Sequence, residues 1–154
     1  MWDDIVRLTG EHLEIVAISV IIAIAIALPV GVLVTRRPKW RTATLGLASV
    51  MQTIPSLALF GFLIPVPLIG GIGRHTAIVA LIFYALLPIL RNTVTGILGV
   101  DPAVRESALA MGLTGSQMLW MVELPLAART ILGGIRIATV TTVGTATIAA
   151  AIGA

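Results

Sequence analysis

Acid–base, thiolate and metal chemistry each need particular side chains in company, and this chain offers little such company. It has no cysteine, which excludes a disulfide framework, a thiolate nucleophile and a Cys-based zinc site. Its two histidines, His12 and His75, stand apart from one another and read as surface or interfacial residues rather than metal ligands. The carboxylates are Asp3, Asp4, Glu11, Glu14, Asp101, Glu106 and Glu123. All fall outside the long uncharged runs, and they form no cluster suited to binding a metal or to acid–base chemistry at a membrane surface. A proton-coupled carrier usually holds a buried ionisable group within a span, and the sequence shows no candidate. Uphill movement of a solute would need energy from another polypeptide.

The stretch with the most specific spacing is residues 106–125, inside a segment reading RNTVTGILGVDPAVRESALAMGLTGSQMLWMVELPLAART. Asp101-Pro102 is a helix start, a carboxylate cap followed by proline at the first helical position. The pattern predicts a short helix over residues 104–111, ended by Gly112 in a left-handed conformation. Thr114 or Ser116 can cap a second short helix running to about Met121, and Pro125 marks its exit. Two short helices at a sharp angle make a knob in which Met118, Trp120 and Met121 are costly to leave in water. Two readings stay open on physical grounds: a knob docking into a partner's groove, or an amphipathic hairpin on the membrane surface.

The elements that position this segment are apolar spans. Apolar residues make up 58% of the chain and charged residues 11%, and the mean hydropathy is +1.07. A chain of this size cannot hide so much apolar surface in its own core, so lipid must solvate part of it. The first span is predicted at about residues 15–35, long enough to cross the hydrocarbon core. Its acidic start and the following Arg36-Arg37 read as an uncleaved span, not a signal peptide. The second is predicted at about 43–64, kinked near Pro55. Gln52, Thr53 and Ser56 bracket that kink, and they either satisfy freed backbone groups or line a passage with Tyr84. A third span is expected at about 76–90, closed by Arg91-Asn92. The fourth is expected at about 131–154, where Gly134, Ala138, Thr142, Ala146, Ala150 and Ala154 recur every fourth position. That spacing makes a smooth face for close helix packing, within the subunit or across a dimer.

Charge sets the expected orientation. Arg36, Arg37, Lys39 and Arg41 lie between the first two spans, and Arg91, Arg105, Arg129 and Arg136 between the last two. Positive loops stay in the cytoplasm. The N-terminus is therefore expected outside, and the loop at about 91–130 inside. The net charge of +3 and pI near 10.6 come from these short loops, not from a basic face, so no nucleic-acid partner is expected.

Glu106-Ser107-Ala108, three residues, Gly112, nine residues, Val122, one residue, Leu124-Pro125 resembles the EAA loop of binding-protein-dependent ABC importer permeases. The family pattern is Glu-Ala-Ala, three residues, Gly, nine residues, Ile, one residue, Leu-Pro. Ser107 and Val122 are the departures, both small. The resemblance implies an all-α, polytopic helix bundle of the type I permease fold, as a single transmembrane domain over residues 1–154 in the cell membrane. It also implies that the loop is a coupling helix seated in a cytoplasmic ATPase subunit. Further partners would be an extracytoplasmic substrate-binding protein and a second permease subunit, alike or different. ATP would bind and be hydrolysed on the partner, leaving this chain without cofactor or catalytic residue.

Three more stretches, MQTIPSLAL at 51–59, LPILRNT at 87–93 and TATIAA at 145–150, look like the osmoprotectant branch, permeases for glycine betaine, carnitine or choline. Such permeases continue with further glycines and another span, so the chain looks C-terminally truncated. Quaternary ammonium ligands are held by aromatic cages. The aromatic residues Trp2, Trp40, Trp120, Tyr84, Phe60, Phe62 and Phe83 form no evident cage, so tight recognition is expected in the binding protein. The rival readings are a permease for another small solute such as an amino acid, an independent channel or secondary carrier, and an integral membrane enzyme. The last would need acids or histidines clustered at the interface.

Overall fold

The structure, a computed structural model, describes residues 2–67, 71 and 73–149. Its elements are α1 (Trp2–Thr35), α2 (Pro38–Thr53), α3 (Ser56–Leu63), α4 (Arg74–Leu98), α5 (Pro102–Ala110) and α6 (Gly115–Ala149). Helices α1, α4 and α6 are each long and apolar enough to cross a membrane, and α2 with α3 makes a fourth candidate if the bent pair is one span. Helix α4 lies in the middle, packed against α1 on one side and α6 on the other, with α1 also touching α6.

Small residues let these three helices approach closely. Ala23, Ala27, Ala85 and Ala138 surround Ile89 and Leu90 in one core cluster, and Ala146 meets Val16, Val20 and Leu81 in another. The four-residue stripe on α6 therefore turns inward for Gly134, Ala138, Thr142 and Ala146, all buried. It packs within the chain; Ala150 and Ala154 lie outside the described residues. A Cβ at Gly134 would sit 2.5 Å from Asn92 Cβ and 2.8 Å from the Pro88 carbonyl, and one at Gly31 would sit 2.7 Å from Thr93 Cγ2. No side chain fits at either crossing.

Four expectations about helix limits change. Helix α1 begins at Trp2 rather than near residue 15, and residues 2–14 extend as a mostly exposed helix beyond the bundle. The second span is broken, not kinked. Helices α2 and α3 meet at 98°, because a residue preceding proline is pushed out of the helical region and Ile54 is extended at φ −71°, ψ 123°. The Tyr84 hydroxyl donates to the Ile54 carbonyl at this break. Helix α4 continues past Arg91 to Leu98, so Arg91-Asn92 does not close the third helix. The fourth helix begins at Gly115 rather than near 131, and Pro125 does not end the helix that precedes it.

Pro125 is accommodated by a π-helical turn at Met118–Glu123. The Leu124 N–H reaches the Leu119 carbonyl, five residues back. The wider turn relieves the clash between a proline ring and the carbonyl four residues before it. It also resets the buried stripe. Met118 and Glu123 are buried five residues apart, and Ala127, Ile131, Gly134 and Ala138 then follow at helical spacing. One extra residue shifts a helix by about 100°, and that shift carries Glu123 onto the buried line.

Candidate functional site

The loop between α4 and α6 is built by local rules. Asp101 caps α5 by accepting from the Ala103 N–H at 2.8 Å, with Pro102 at the first position. At the other end Gly112 takes φ +83°. The Leu113 N–H bonds the Ala108 carbonyl at 3.2 Å and the Gly112 N–H bonds Leu109 at 2.9 Å, the paired closure of a Schellman ending. Thr114 then caps α6 in a reciprocal box: its N–H donates to Gln117 Oε1 at 2.8 Å, and the Gln117 N–H donates to Thr114 Oγ1 at 3.4 Å. Glycine is needed at 112 for its backbone alone, since a Cβ there would meet nothing within 4 Å.

Ala108 is buried at 2% exposure and seats α5 on the π turn. Glu106, Ser107 and Gly112 are exposed; Val122 and Leu124 are half-buried, and Pro125 is exposed. Ser107 Oγ donates to the Ala103 carbonyl at 2.8 Å, inside the helix. Val104, Leu109 and Met111 on or just after α5, and Trp120 and Met121 on the π turn, are exposed, whereas Met118 is buried. The knob is therefore one short helix seated on a continuous long one, not two short helices.

The polar residues around Pro55 come together at the break. Gln52 and Thr53 end α2 on its exposed side, and Ser56 opens α3 half-buried. Thr53 Oγ1 donates to the Val50 carbonyl at 2.7 Å, and Tyr84 reaches across from α4 to Ile54. Two of the four thus satisfy backbone carbonyls.

The sequence reading missed a charged group in the bundle. Glu123 is 0% exposed. Its Oε2 pairs with Arg36, just past the end of α1, and its Oε1 lies 3.4 Å from Arg105 Nε on α5. Arg105 also donates to the Ile97 carbonyl at the end of α4. The signal was present in MLWMVELPL, where a lone carboxylate sits within nine otherwise uncharged residues. Such a carboxylate is either exposed at a break or buried with a cation. A second pair, Glu14 to Arg74 at 2.5 Å, ties α1 to the start of α4 at the other end. Arg36 lies 22 positions after Glu14, about 33 Å of helix, against about 30 Å for a hydrocarbon core.

An all-α bundle of long apolar helices, with a short capped helix and a Leu-Pro return at one end, defines a polytopic membrane protein. Residues 15–154 match the family of binding-protein-dependent transport system inner membrane components, and the chain belongs to that family. It is 48% identical over 145 residues to the glycine betaine/carnitine/choline transport system permease protein OpuCB of Bacillus subtilis, covering 94% of this chain and 65% of that one. It is 48% identical over 149 residues to the osmoprotectant import permease protein OsmW of Salmonella typhimurium, covering 96% and 69%. The chain thus spans about two thirds of the length of the curated relatives it matches. The inward-facing MetNI methionine ABC transporter superposes with a TM-score of 0.85 at 31% identity, over 100% of this chain and 76% of that one.

Proposed function

We propose that this chain forms the core of the permease subunit of an ATP-driven importer for a quaternary ammonium osmoprotectant such as glycine betaine, carnitine or choline. The observation that carries the reading is the 48% identity to OpuCB over 94% of the chain. The permease is multi-pass in the cell membrane, with the α1 N-terminus outside and α5 in the cytoplasm. Arg36, Arg37, Lys39 and Arg41 just after α1, with Arg91 and Arg105 flanking the end of α4, support this orientation. Helix α5 and the π turn, through Glu106, Ser107, Ala108, Gly112, Val122, Leu124 and Pro125, form the coupling element that docks on an ATPase subunit. The exposed Leu109, Met111, Trp120 and Met121 supply apolar contact area. A second permease subunit completes the pore. An extracytoplasmic binding protein delivers the solute, ATP is hydrolysed on the partner, and Gln52, Thr53, Ser56 and Tyr84 at the α2–α3 break border the path.

The test is reconstitution of the permease with its ATPase in liposomes, measuring uptake of radiolabelled glycine betaine. Uptake should require ATP, the ATPase and the binding protein together. Uptake by the permease alone would replace this reading with a channel or secondary carrier, and uptake of an amino acid but no betaine would move the substrate class.

A further inference from the structure

Four elements converge on Glu123. It sits in the π turn of α6, Arg36 reaches it from the end of α1, Arg105 reaches it from α5, and Arg105 also holds the last turn of α4 through the Ile97 carbonyl. Helix α5 packs mainly on that same π turn, so displacement of α5 reaches the long helices through this joint. The two contacts of the carboxylate differ. Oε2 is hydrogen-bonded by Arg36. Oε1 and Arg105 Nε face one another at 3.4 Å, both buried, and neither has a hydrogen-bond partner among the described residues. Buried polar atoms are rarely left unpaired, and those that are call for an explanation. Here a donor and an acceptor lie 3.4 Å apart but out of hydrogen-bonding alignment, and a small reorientation of Arg105 against Glu123 would complete the bond. The π turn supplies the compliance, since its looser bonding lets a helix bend there.

We propose that Glu123 is a positioning residue for energy coupling: a buried carboxylate held by Arg36 and completed by Arg105 when α5 is pressed toward the bundle, so that thrust on α5 turns α6. This rests on the importer reading above. In water a single ion pair would transmit little, because either partner can exchange for solvent. At 1% side-chain exposure for Glu123 the carboxylate has no such exchange, and it must follow one arginine or the other. Arg105 acts through Glu123 and not on the solute. Lysine at that position keeps the charge but loses the planar fork that meets Glu123 and the Ile97 carbonyl together.

The experiment uses the permease with its ATPase and binding protein in proteoliposomes and reads the ratio of radiolabelled glycine betaine taken up to ATP hydrolysed. Glu123→Gln preserves shape and removes the charge, and Arg105→Gln removes the other partner. Each should lower the ratio about tenfold, the double variant should be no worse than either single one, and Arg105→Lys should recover part of it. Uptake and hydrolysis falling in parallel would make Glu123 merely structural and overturn the proposal, as would an unchanged ratio or additive losses in the double variant. If Glu123→Gln fails to accumulate, the Arg105→Gln and Arg105→Lys pair decides, since Arg105 is partly exposed. Absence of ATP-driven uptake by the unmodified complex would instead sink the importer reading on which the proposal rests.

Discussion

The apolar length of α1 carries an acid–arginine contact at each end, and the two ends are built differently. At one, Glu14 and Arg74 are 55% and 46% exposed, both within reach of water. At the other, Glu123 is sealed beneath Arg36 and Arg105. Helix packing is close at particular crossings: a Cβ at Gly31 or Gly134 would collide with a neighbouring helix and one at Gly96 would press on Thr130 and Ala127, whereas Gly10, Gly61, Gly133 and Gly144 have open space around them. One end seals its ion pair between helices and the other leaves its pair in reach of water. The sealed pair lies next to α5, where a partner's motion would enter, and tight packing transmits displacement because interiors compress little.

The sharpest way to break this comparison is to remove one arginine from each end. Arg36→Ala leaves the Glu123 carboxylate buried with only the longer Arg105 contact, and it should cost about 3 kcal/mol. Arg74→Ala exposes an already half-hydrated Glu14 and should cost less than about 1 kcal/mol. Thermal unfolding in detergent measures both, and equal drops in Tm would remove the distinction. Packing gives the next effect. Gly134→Val must displace Asn92 or the Pro88 carbonyl and should cost about 2 kcal/mol. Gly144→Ala, with nothing within 4 Å, should be neutral or stabilising by up to about 1 kcal/mol through helix propensity. A stability loss at Gly144 as large as that at Gly134 would show that close helix approach does not set the cost.

The smallest change in stability with a large functional consequence is at Gly112. A Cβ meets no neighbour there, so the main cost of a β-branched residue is the strain of φ +83°, about 1–2 kcal/mol and confined to the end of α5. Gly112→Val should leave the Tm of the bundle nearly unchanged while uncoupling ATP hydrolysis from betaine uptake in proteoliposomes. Retained coupling would mean that the direction of the chain after α5 does not matter to docking.

Much of the fold was legible because membrane helices obey one-dimensional rules. The uncharged run at 15–35 lies wholly within α1, and Asp101-Pro102 and Gly112 bound α5 because capping is a contest among neighbours in the chain. The EAA-like spacing was equally plain. Pro55 and Pro125 misled in opposite directions, although the local chemistry is the same. At Pro55 the preceding residue left the helical region and the chain turned through 98°. At Pro125 a π turn absorbed the ring and the helix went on. Arg91 and Asn92 read as a stop, yet Asn92 Nδ2 donates to the Pro88 carbonyl at 2.8 Å, and the α4 helix runs on to Leu98.

By itself the sequence determined the membrane class, the apolar helices, the ends of the short α5 helix and the family. Each depends on hydrophobic length, charge or a local hydrogen bond. Only the tertiary structure decided which way the small-residue stripe of α6 faces, how Tyr84 meets the broken α2–α3 pair, and that Glu123 is buried. Burial of a carboxylate depends on cations brought from positions 36 and 105, which the chain separates by dozens of residues and only the packing of α1, α5 and α6 brings together.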